Sequence, residues 1–429
     1  MIPGMFDRLR IRWAPIVLLS LVTGCAQTIT PEPRTSSSLG SAEASETVGF
    51  AAGVCASDAF GCVEVDQGDP IIIGTALTLT GPDAARGLDS QYGAQVALNL
   101  RGPVLRHEVE LVNHDDRCSA DGGTAAASLL IELGSMVAVI GTSCSSAAKP
   151  ATDILGERGI LLVSPSNTAP YLTADDANSP YYARTAPNDV GQARAMAEWA
   201  CAEAGVATAA TIGDGSGYAD AMQEAFATEF ASQCDGTITK QVVASPEPGR
   251  VDAALDSIAN SNRGASPELL YYPLAGDLGL LVTSRVRKAT GLEDTILAGI
   301  HTGEDGAASS DPSDGMYLST PMVVPTGDFY EGAFLDEYRD VSAHDEPIGA
   351  FHGRAYDAVN IVLDAVVDTA IEEKGVLYIP RTALRETILA VQGYEGLSGR
   401  YTCDAVGDCS ESTATVSFVD GRALEPVWP

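Results

Sequence analysis

Basic side chains are scarce in this chain. Lys and Arg total 25 against 58 Asp and Glu, a formal net charge of −33 over 429 residues. The excess acid is spread along the chain and no basic stripe exists, which excludes nucleic acid and anionic lipid surfaces as expected partners. Histidine is scarce as well. The five present (His107, His114, His301, His344 and His352) are scattered without ligand spacing, and no C-x-x-C occurs, so no metal centre is expected. There is no G-x-S-x-G, and no His has a visible Ser or Cys partner. The expectation is a protein that is not an enzyme and uses no cofactor. Gly213-Asp214-Gly215-Ser216-Gly217 is Gly-rich but lacks both the Gly-Lys-Ser/Thr ending and the G-x-G-x-x-G spacing of a phosphate cradle. Aromatics are only 6% of the chain, yet 45% of it is hydrophobic, enough for large cores and against general disorder. The length suits two or three domains.

No apolar run approaches the eighteen residues of a membrane span. The longest early one, Trp13–Val22, is interrupted by Pro15 and Ser20 and follows the basic Arg8, Arg10 and Arg12. About ten residues cannot cross roughly 30 Å of hydrocarbon, so the segment reads as a signal peptide. It ends Leu21-Val22-Thr23-Gly24-Cys25, which resembles a bacterial lipoprotein signal; the other reading is an ordinary signal with a chance Cys. On the first reading residues 1–24 are removed and Cys25 carries the lipid, the mature chain's only hold on the membrane. The expected location is exported, on the cell membrane or outer membrane, facing the periplasm or the exterior. Residues 26–53 are rich in Ser, Thr, Ala, Glu and Pro and cannot bury surface. A tether of about 28 coil residues reaches roughly 30 Å. The expected tether region, with a small Cys55/Cys62 loop, spans 25–69.

Eight cysteines remain: Cys55, Cys62, Cys118, Cys144, Cys201, Cys234, Cys403 and Cys409. An even count in an exported chain reads as disulfides, with 105 possible connectivities. Short separations favour Cys55–Cys62 and Cys403–Cys409.

From about residue 70 the pattern alternates. Ile71–Leu79 is an apolar, β-branched run of strand length, broken by Gly81-Pro82. A helix is expected near 87–101, a strand at 109–112, a helix at 122–133, a strand at 136–140, a helix near 146–158 and a strand at 160–163. The alternation restarts with a helix over 188–204, a strand at 207–212 and a helix at 218–231. Further strands are expected at 238–243, 268–272 and 295–299, and helices near 250–261 and 277–290. A long amphipathic helix carries Tyr356, Val359, Leu363, Val366, Val367 and Ala370 on one face. The segments 397–402 and 413–419 read as a terminal hairpin with Cys403 and Cys409 at its loop. Short uninterrupted apolar strands between helices imply parallel sheets covered on both faces. Two such blocks make an α/β protein of two doubly wound parallel-sheet lobes, whose natural site is the cleft beyond the strand ends.

Several stretches also carry a family likeness. They are Ile71-Ile72-Ile73-Gly74-Thr75-Ala76-Leu77-Thr78-Leu79-Thr80-Gly81-Pro82, Tyr92-Gly93-Ala94-Gln95-Val96-Ala97 and Asp115-Asp116-Arg117-Cys118. The most specific is Val137-Ala138-Val139-Ile140-Gly141-Thr142-Ser143-Cys144-Ser145-Ser146, with Pro150-Ala151, Gly159-Ile160-Leu161 and Ser164-Pro165-Ser166-Asn167-Thr168-Ala169-Pro170-Tyr171-Leu172-Thr173 after it. Together these resemble the branched-chain amino acid (Leu/Ile/Val) binding proteins of ABC importers, over roughly residues 70–425. The resemblance implies the type I periplasmic-binding fold, with a three-crossing hinge near 186, 320 and 396. Lobe one would hold 70–186 plus 320–396, and lobe two 187–319 plus 397–429. It also implies a Cys118–Cys144 disulfide. The expected state is a monomer.

The expected site follows from that likeness joined to the residues. Ser145, between a strand and a helix, either caps the helix or, with the free N–H groups of the helix start, holds a carboxylate. The resemblance gives Thr168 a hydroxyl and backbone N–H role and gives the Asn167 carbonyl to a ligand ammonium. It makes Tyr218 the ring that closes over the ligand; the plain alternative is a surface Tyr. Where the family presents an acid to the ammonium, this chain has His301, with Glu304 and Asp305 nearby. Arg86 stands where the family often has an aromatic, and reads either as a partner for an anionic ligand group or as a solvated loop Arg. The expected function is capture of a small polar solute, an amino acid or a relative, for an ABC permease. The alternative is a sensing or regulatory lipoprotein of the same fold, serving cell-wall synthesis or a sensor partner.

Overall fold

The computed structural model of the chain describes residues 49–174, 178–261, 265–274, 276–300, 313–321, 325–411, 414–421 and 423–428. The expected signal, Cys25 and most of the tether lie outside them. The folded unit spans Val48–Pro429.

The chain begins with α1 (Phe50–Ser57) and β1 (Cys62–Val65). A first βα series follows: β2 (Ile71–Leu77), α2 (Ala84–Arg101), β3 (Val109–Asp115), α3 (Ala120–Leu133), β4 (Met136–Gly141), α4 (Ser145–Gly156), β5 (Leu162–Ser164) and β6 (Tyr182–Arg184). Its five strands form a parallel sheet in the order β3-β2-β4-β5-β6. All six residues of β4 are buried, as helices on both faces require. The second series is α5 (Val190–Ala202), β7 (Thr208–Gly213), α6 (Gly217–Cys234), β8 (Thr237–Val243), α7 (Pro248–Ala259), β9 (Leu269–Tyr272), α8 (Gly276–Val286), β10 (Ile296–Ile300) and β11 (Tyr317–Pro321).

The chain then returns to the first lobe through α9 (Leu335–Ser342), α10 (His352–Thr369), β12 (Ile371–Glu373), β13 (Val376–Pro380) and α11 (Arg381–Leu389). There β12 and β13 join β1 in a small antiparallel sheet. A hairpin of β14 (Tyr394–Gly396) and β15 (Gly399–Tyr401) precedes β16 (Ala414–Asp420) and β17 (Ala423–Trp428). The second sheet runs β17-β16-β11-β10-β9-β7-β8, with parallel pairing except at β11–β16 and β16–β17.

The tail departs from the expected hairpin. Gly396 and Gly399 bound a two-residue turn, so 394–396 folds back on 399–401. That turn is fastened to the first lobe: the N–H groups of Leu397 and Ser398 donate to the Asp357 carboxylate of α10 at 2.6 and 2.8 Å. Tyr401, Cys403 and Cys409 are buried in the core beneath the first sheet, so 397–409 does not belong to the second lobe as expected. Strand β16 pairs with β11 instead of closing on 397–402.

Disulfides join Cys55 to Cys62, Cys118 to Cys144, Cys201 to Cys234 and Cys403 to Cys409. The pair left open by the spacing, Cys201–Cys234, ties the last turn of α5 to that of α6.

Helix α2 lies directly on α10. A Cβ added at Gly93 would sit 2.0 Å from the carbonyl oxygen of His352. In an open helix Gly→Ala stabilises by roughly 0.5–1 kcal/mol. Here Gly93→Ala is expected to destabilise by about 1–3 kcal/mol, because the two backbones must part. Thermal unfolding gives the sign, and a higher melting temperature would show that the helices separate freely.

Candidate functional site

The carboxyl ends of β2, β4 and β5 are tied into one rigid edge. After β3, the buried Asp116 carboxylate accepts from the Ser143 N–H at 2.7 Å, the Cys118 N–H at 2.9 Å and the Thr78 hydroxyl at 2.5 Å. Burial raises its pKa above the usual value, against these three donors. The Ser143 hydroxyl accepts from the Thr78 N–H at 2.8 Å. Helix α4 therefore starts at Ser145 from a fixed position. After β5 the chain turns tightly, with Ser164 Oγ accepting from the Asn167 N–H at 2.9 Å. The Ser145 hydroxyl oxygen accepts from the Ala169 N–H at 3.3 Å, which joins the helix start to the Thr168 loop.

Asn167 does not face the cleft. Its amide nitrogen donates to the Thr142 carbonyl at 2.8 Å, and the Thr142 hydroxyl donates to its amide oxygen at 3.2 Å. Its backbone carbonyl accepts from Arg184 at 3.1 Å. The bulk at 167 is spent on tying two loops together, and its carbonyl, which can accept twice, takes one bond from a buried guanidinium.

A cavity of about 460 Å³ opens between the lobes. The first lobe contributes Arg86, Ser145, Thr168, Tyr171, Phe351 and Arg354. The second contributes Asp214, Tyr218, Pro273, Leu274 and Ile300, and the crossings contribute Asp189, Gln192 and Pro321. The structure therefore brings Ser145, Thr168, Tyr218 and Arg86 together. Ile300 is the last described residue of its strand; His301 and Glu304 lie outside the described residues.

Two lining residues were missed by sequence reasoning. An Asp just before a helix reads as an N-cap, but the Asp189 side chain makes no cap bond to α5. It is 1% exposed. Its Oδ1 accepts from the Gln192 amide at 2.6 Å, and its Oδ2 has no hydrogen-bond partner among the described residues. Burial pushes the carboxyl above its ordinary pKa, while the Thr168 and Tyr218 hydroxyls, the Gln192 amide and the Arg184 charge pull it back. The Tyr218 hydroxyl is in turn raised, by burial and by the Asp189 charge. Arg354, two residues before the apolar face that begins at Tyr356, is only 4% exposed. Burial lowers its pKa, and Tyr401, Asp357 and Asp189 oppose that shift. The signal available for both was a charged residue at a position whose neighbours bury their faces.

A family model described as periplasmic binding protein matches residues 70–408. The leucine-, isoleucine-, valine-, threonine- and alanine-binding protein of Pseudomonas aeruginosa is 28% identical over 305 residues, covering 70% of this chain and 78% of that protein. Among solved structures, a leucine-binding protein of Thermotoga maritima aligns with a TM-score of 0.66 at 22% identity, over 83% of this chain and 97% of the other. A solute-binding protein of an R. palustris ABC transporter, in complex with benzoate, aligns at 0.64 and 19%, over 84% and 96%. At these identities the solved structures establish the fold.

Proposed function

The chain belongs to the periplasmic binding protein family, and from that premise we propose that it captures an amino acid or a close relative between its lobes for an ABC importer. The family is one of substrate-binding proteins rather than enzymes, and membership implies a place outside the cytoplasm. A lipid on Cys25 and the tether after it would keep the body near its permease.

One observation carries the reading. The Asp189 carboxylate is buried in the cleft wall, and its Oδ2 has no hydrogen-bond partner among the described residues. Burying such an oxygen without a donor costs free energy that a ligand ammonium would recover. The same cavity holds the N-terminal turn of α4 and the hydroxyls of Ser145 and Thr168, suited to a carboxylate. An ammonium acceptor and a carboxylate cradle in one cleft fit the head of an α-amino acid. Because lining residues come from both lobes, ligand contacts would be complete only when the lobes are close. Binding then drives closure, the state an importer can read. A purely regulatory module with an empty cleft would have no use for a carboxylate buried in the cleft wall.

Thermal-shift screening of the delipidated protein against amino acids, amides and small carboxylates tests this, since a tight ligand raises apparent stability by mass action. Amino acids are expected to raise the melting temperature. Ser145→Ala and Thr168→Ala are each expected to weaken binding by about 1–3 kcal/mol in calorimetry. Unchanged affinity in both variants would remove the polar cradle from the site.

A further inference from the structure

A buried acid stands behind the cleft wall without lining it. Asp89 of α2 is 0% exposed and is not among the residues that border the cavity. Its Oδ2 accepts from the N–H groups of Phe351 and His352, both at 2.8 Å. Its Oδ1 accepts from the Tyr338 hydroxyl at 2.7 Å, and the His352 ring meets Oδ2 through Nδ1 at 3.1 Å. The other ring nitrogen of His352 lies 2.9 Å from the Tyr330 hydroxyl. Burial pushes the Asp89 carboxyl up, but the His352 ring, the Tyr338 hydroxyl and the Phe351 N–H outweigh it and hold the pKa below its ordinary value. The group is an ionised acceptor with both oxygens committed.

The start of an α-helix leaves N–H groups without an intrahelical carbonyl, and a polar side chain at the N-cap position usually takes one of them. Phe351 holds that position in α10 and makes no side-chain cap bond. Asp89 serves the helix instead, from 262 residues away in the chain. The same turn supplies two residues of the cavity, Phe351 and Arg354. Helix α2 grips Phe351 twice. Asp89 takes its N–H, and Arg86, one turn earlier, lays its guanidinium over the ring at 5.7 Å from the centroid. The Thr185 hydroxyl donates to the Arg354 carbonyl at 3.0 Å. A Cβ added at Gly349 would lie 3.0 Å from the Asp89 Cβ and 3.1 Å from its Oδ2, so the chain entering α10 is packed on this side chain as well.

We propose that Asp89 is a positioning residue for solute binding: by capping α10 from α2 it holds Phe351 and Arg354 in the places they occupy in the cleft wall. This rests on the amino-acid reading of the cleft and adds to it a residue that touches no solute. The physical reason is preorganisation. A wall residue that must be ordered when the solute arrives subtracts that cost from the affinity. One held by hydrogen bonds from behind is ordered beforehand. Without the carboxylate, two buried N–H groups lose their acceptor, and the start of α10 unwinds and takes Phe351 with it.

The test is calorimetry on the delipidated protein. The standard L-amino acids are titrated one at a time into the wild type, and the one that binds most tightly is the probe for the variants. Asp89→Ala is expected to weaken it by about 10-fold or more, the scale of leaving buried donors unpaired. Asp89→Asn keeps an acceptor for the helix start and is expected to stay within about threefold of the wild type. Stoichiometry reports the folded fraction. A role confined to stability would lower the stoichiometry or the melting temperature in Asp89→Ala and leave the dissociation constant unchanged, and that result would overturn the inference. So would Asp89→Asn binding as weakly as Asp89→Ala. If Asp89→Ala does not fold, Gly349→Ala decides, because its methyl presses on the Asp89 side chain. It is expected to weaken the probe by about threefold at unchanged stoichiometry, and unchanged affinity there would overturn the inference. No binding to the wild type by any of the amino acids would instead overturn the amino-acid reading, and this inference with it.

Discussion

Replacing Asp189 by Asn is expected to weaken amino-acid capture by about 3–5 kcal/mol while leaving the unliganded protein at least as stable as before. The first part follows from the pairing proposed above: removing one partner of a buried ion pair strands the other, and that is the usual cost. The second part follows from the state of the free protein. There, Oδ2 is buried without a hydrogen-bond partner among the described residues and burial raises the carboxyl's pKa, so the charge opposes folding, and an isosteric neutral amide relieves it. Function and stability are expected to move in opposite directions, as they do where a site is held in a costly state for its ligand.

The pH dependence has a definite sign. Burial raises the folded-state pKa of Asp189 above its ordinary value of 3.8. Between the unfolded and folded values the native state binds more protons than the unfolded one. The group's contribution to stability therefore falls as pH rises through that window, and recovers as pH drops through the folded pKa. Ligand affinity runs the other way, because protonation removes the charge that meets the ammonium. Calorimetry across this window should show binding weakening on acidification in the wild type, with the Asp189 part of that slope missing in the Asn variant. Equal affinity in Asp189→Asn and wild type at neutral pH would sink the assignment.

The second large effect is structural. Arg184→Met is expected to destabilise the protein by about 3–5 kcal/mol. Arg184 is 0% exposed. Its guanidinium donates to the Asn167 carbonyl at 3.1 Å, the Ala169 carbonyl at 2.9 Å and the Thr173 hydroxyl at 2.7 Å, and it pairs with the Asp408 carboxylate through Nε. The loop carrying Asp408 is closed by Cys403–Cys409. It is joined to the crossing by the Asn188 amide, which donates to Asp408 at 2.8 Å, and by Arg184 N–H to the Gly407 carbonyl at 2.9 Å. Methionine fills the volume but leaves a carboxylate and two carbonyls unsatisfied. The Asp408 side chain is 18% exposed, so water recovers part of the loss and the lower end of the range is favoured. Arg184→Lys is expected to fall between, since one ammonium cannot serve four acceptors set for a fork. The two carbonyls flank Thr168, so ligand affinity should fall with stability. Urea unfolding followed by two independent probes would measure the loss, and a change under about 1 kcal/mol would contradict the role given to this side chain.

Much of the architecture was legible because it is local. The β-branched run from Ile71 and the Gly81-Pro82 break give a strand and its end within a dozen residues, and β2 is formed there. The helical period around Tyr356 and Leu363 gives α10. The junction at Ser145 was visible because strand, short polar turn and helix are contiguous. The tail shows where locality fails. Its segments carry ordinary strand composition, and which partner each takes was settled by the Asp357 carboxylate, some forty residues away, gripping the turn between Gly396 and Gly399.

The site follows the same division. Composition, periodicity and resemblance determined an acidic, exported, two-lobed α/β protein of the periplasmic binding kind, and marked Ser145, Thr168, Tyr218 and Arg86, since each sits at a strand end or helix start that the local pattern defines. Only the tertiary structure decided that the Asn167 side chain bonds to Thr142, that Asp189 caps nothing and lines the cleft, and that Arg354 joins Arg86 in the wall. The physical reason is that a charge acquires its role from its surroundings: burial and the nearest counter-charge are set by segments distant in the chain, and no window of sequence contains them.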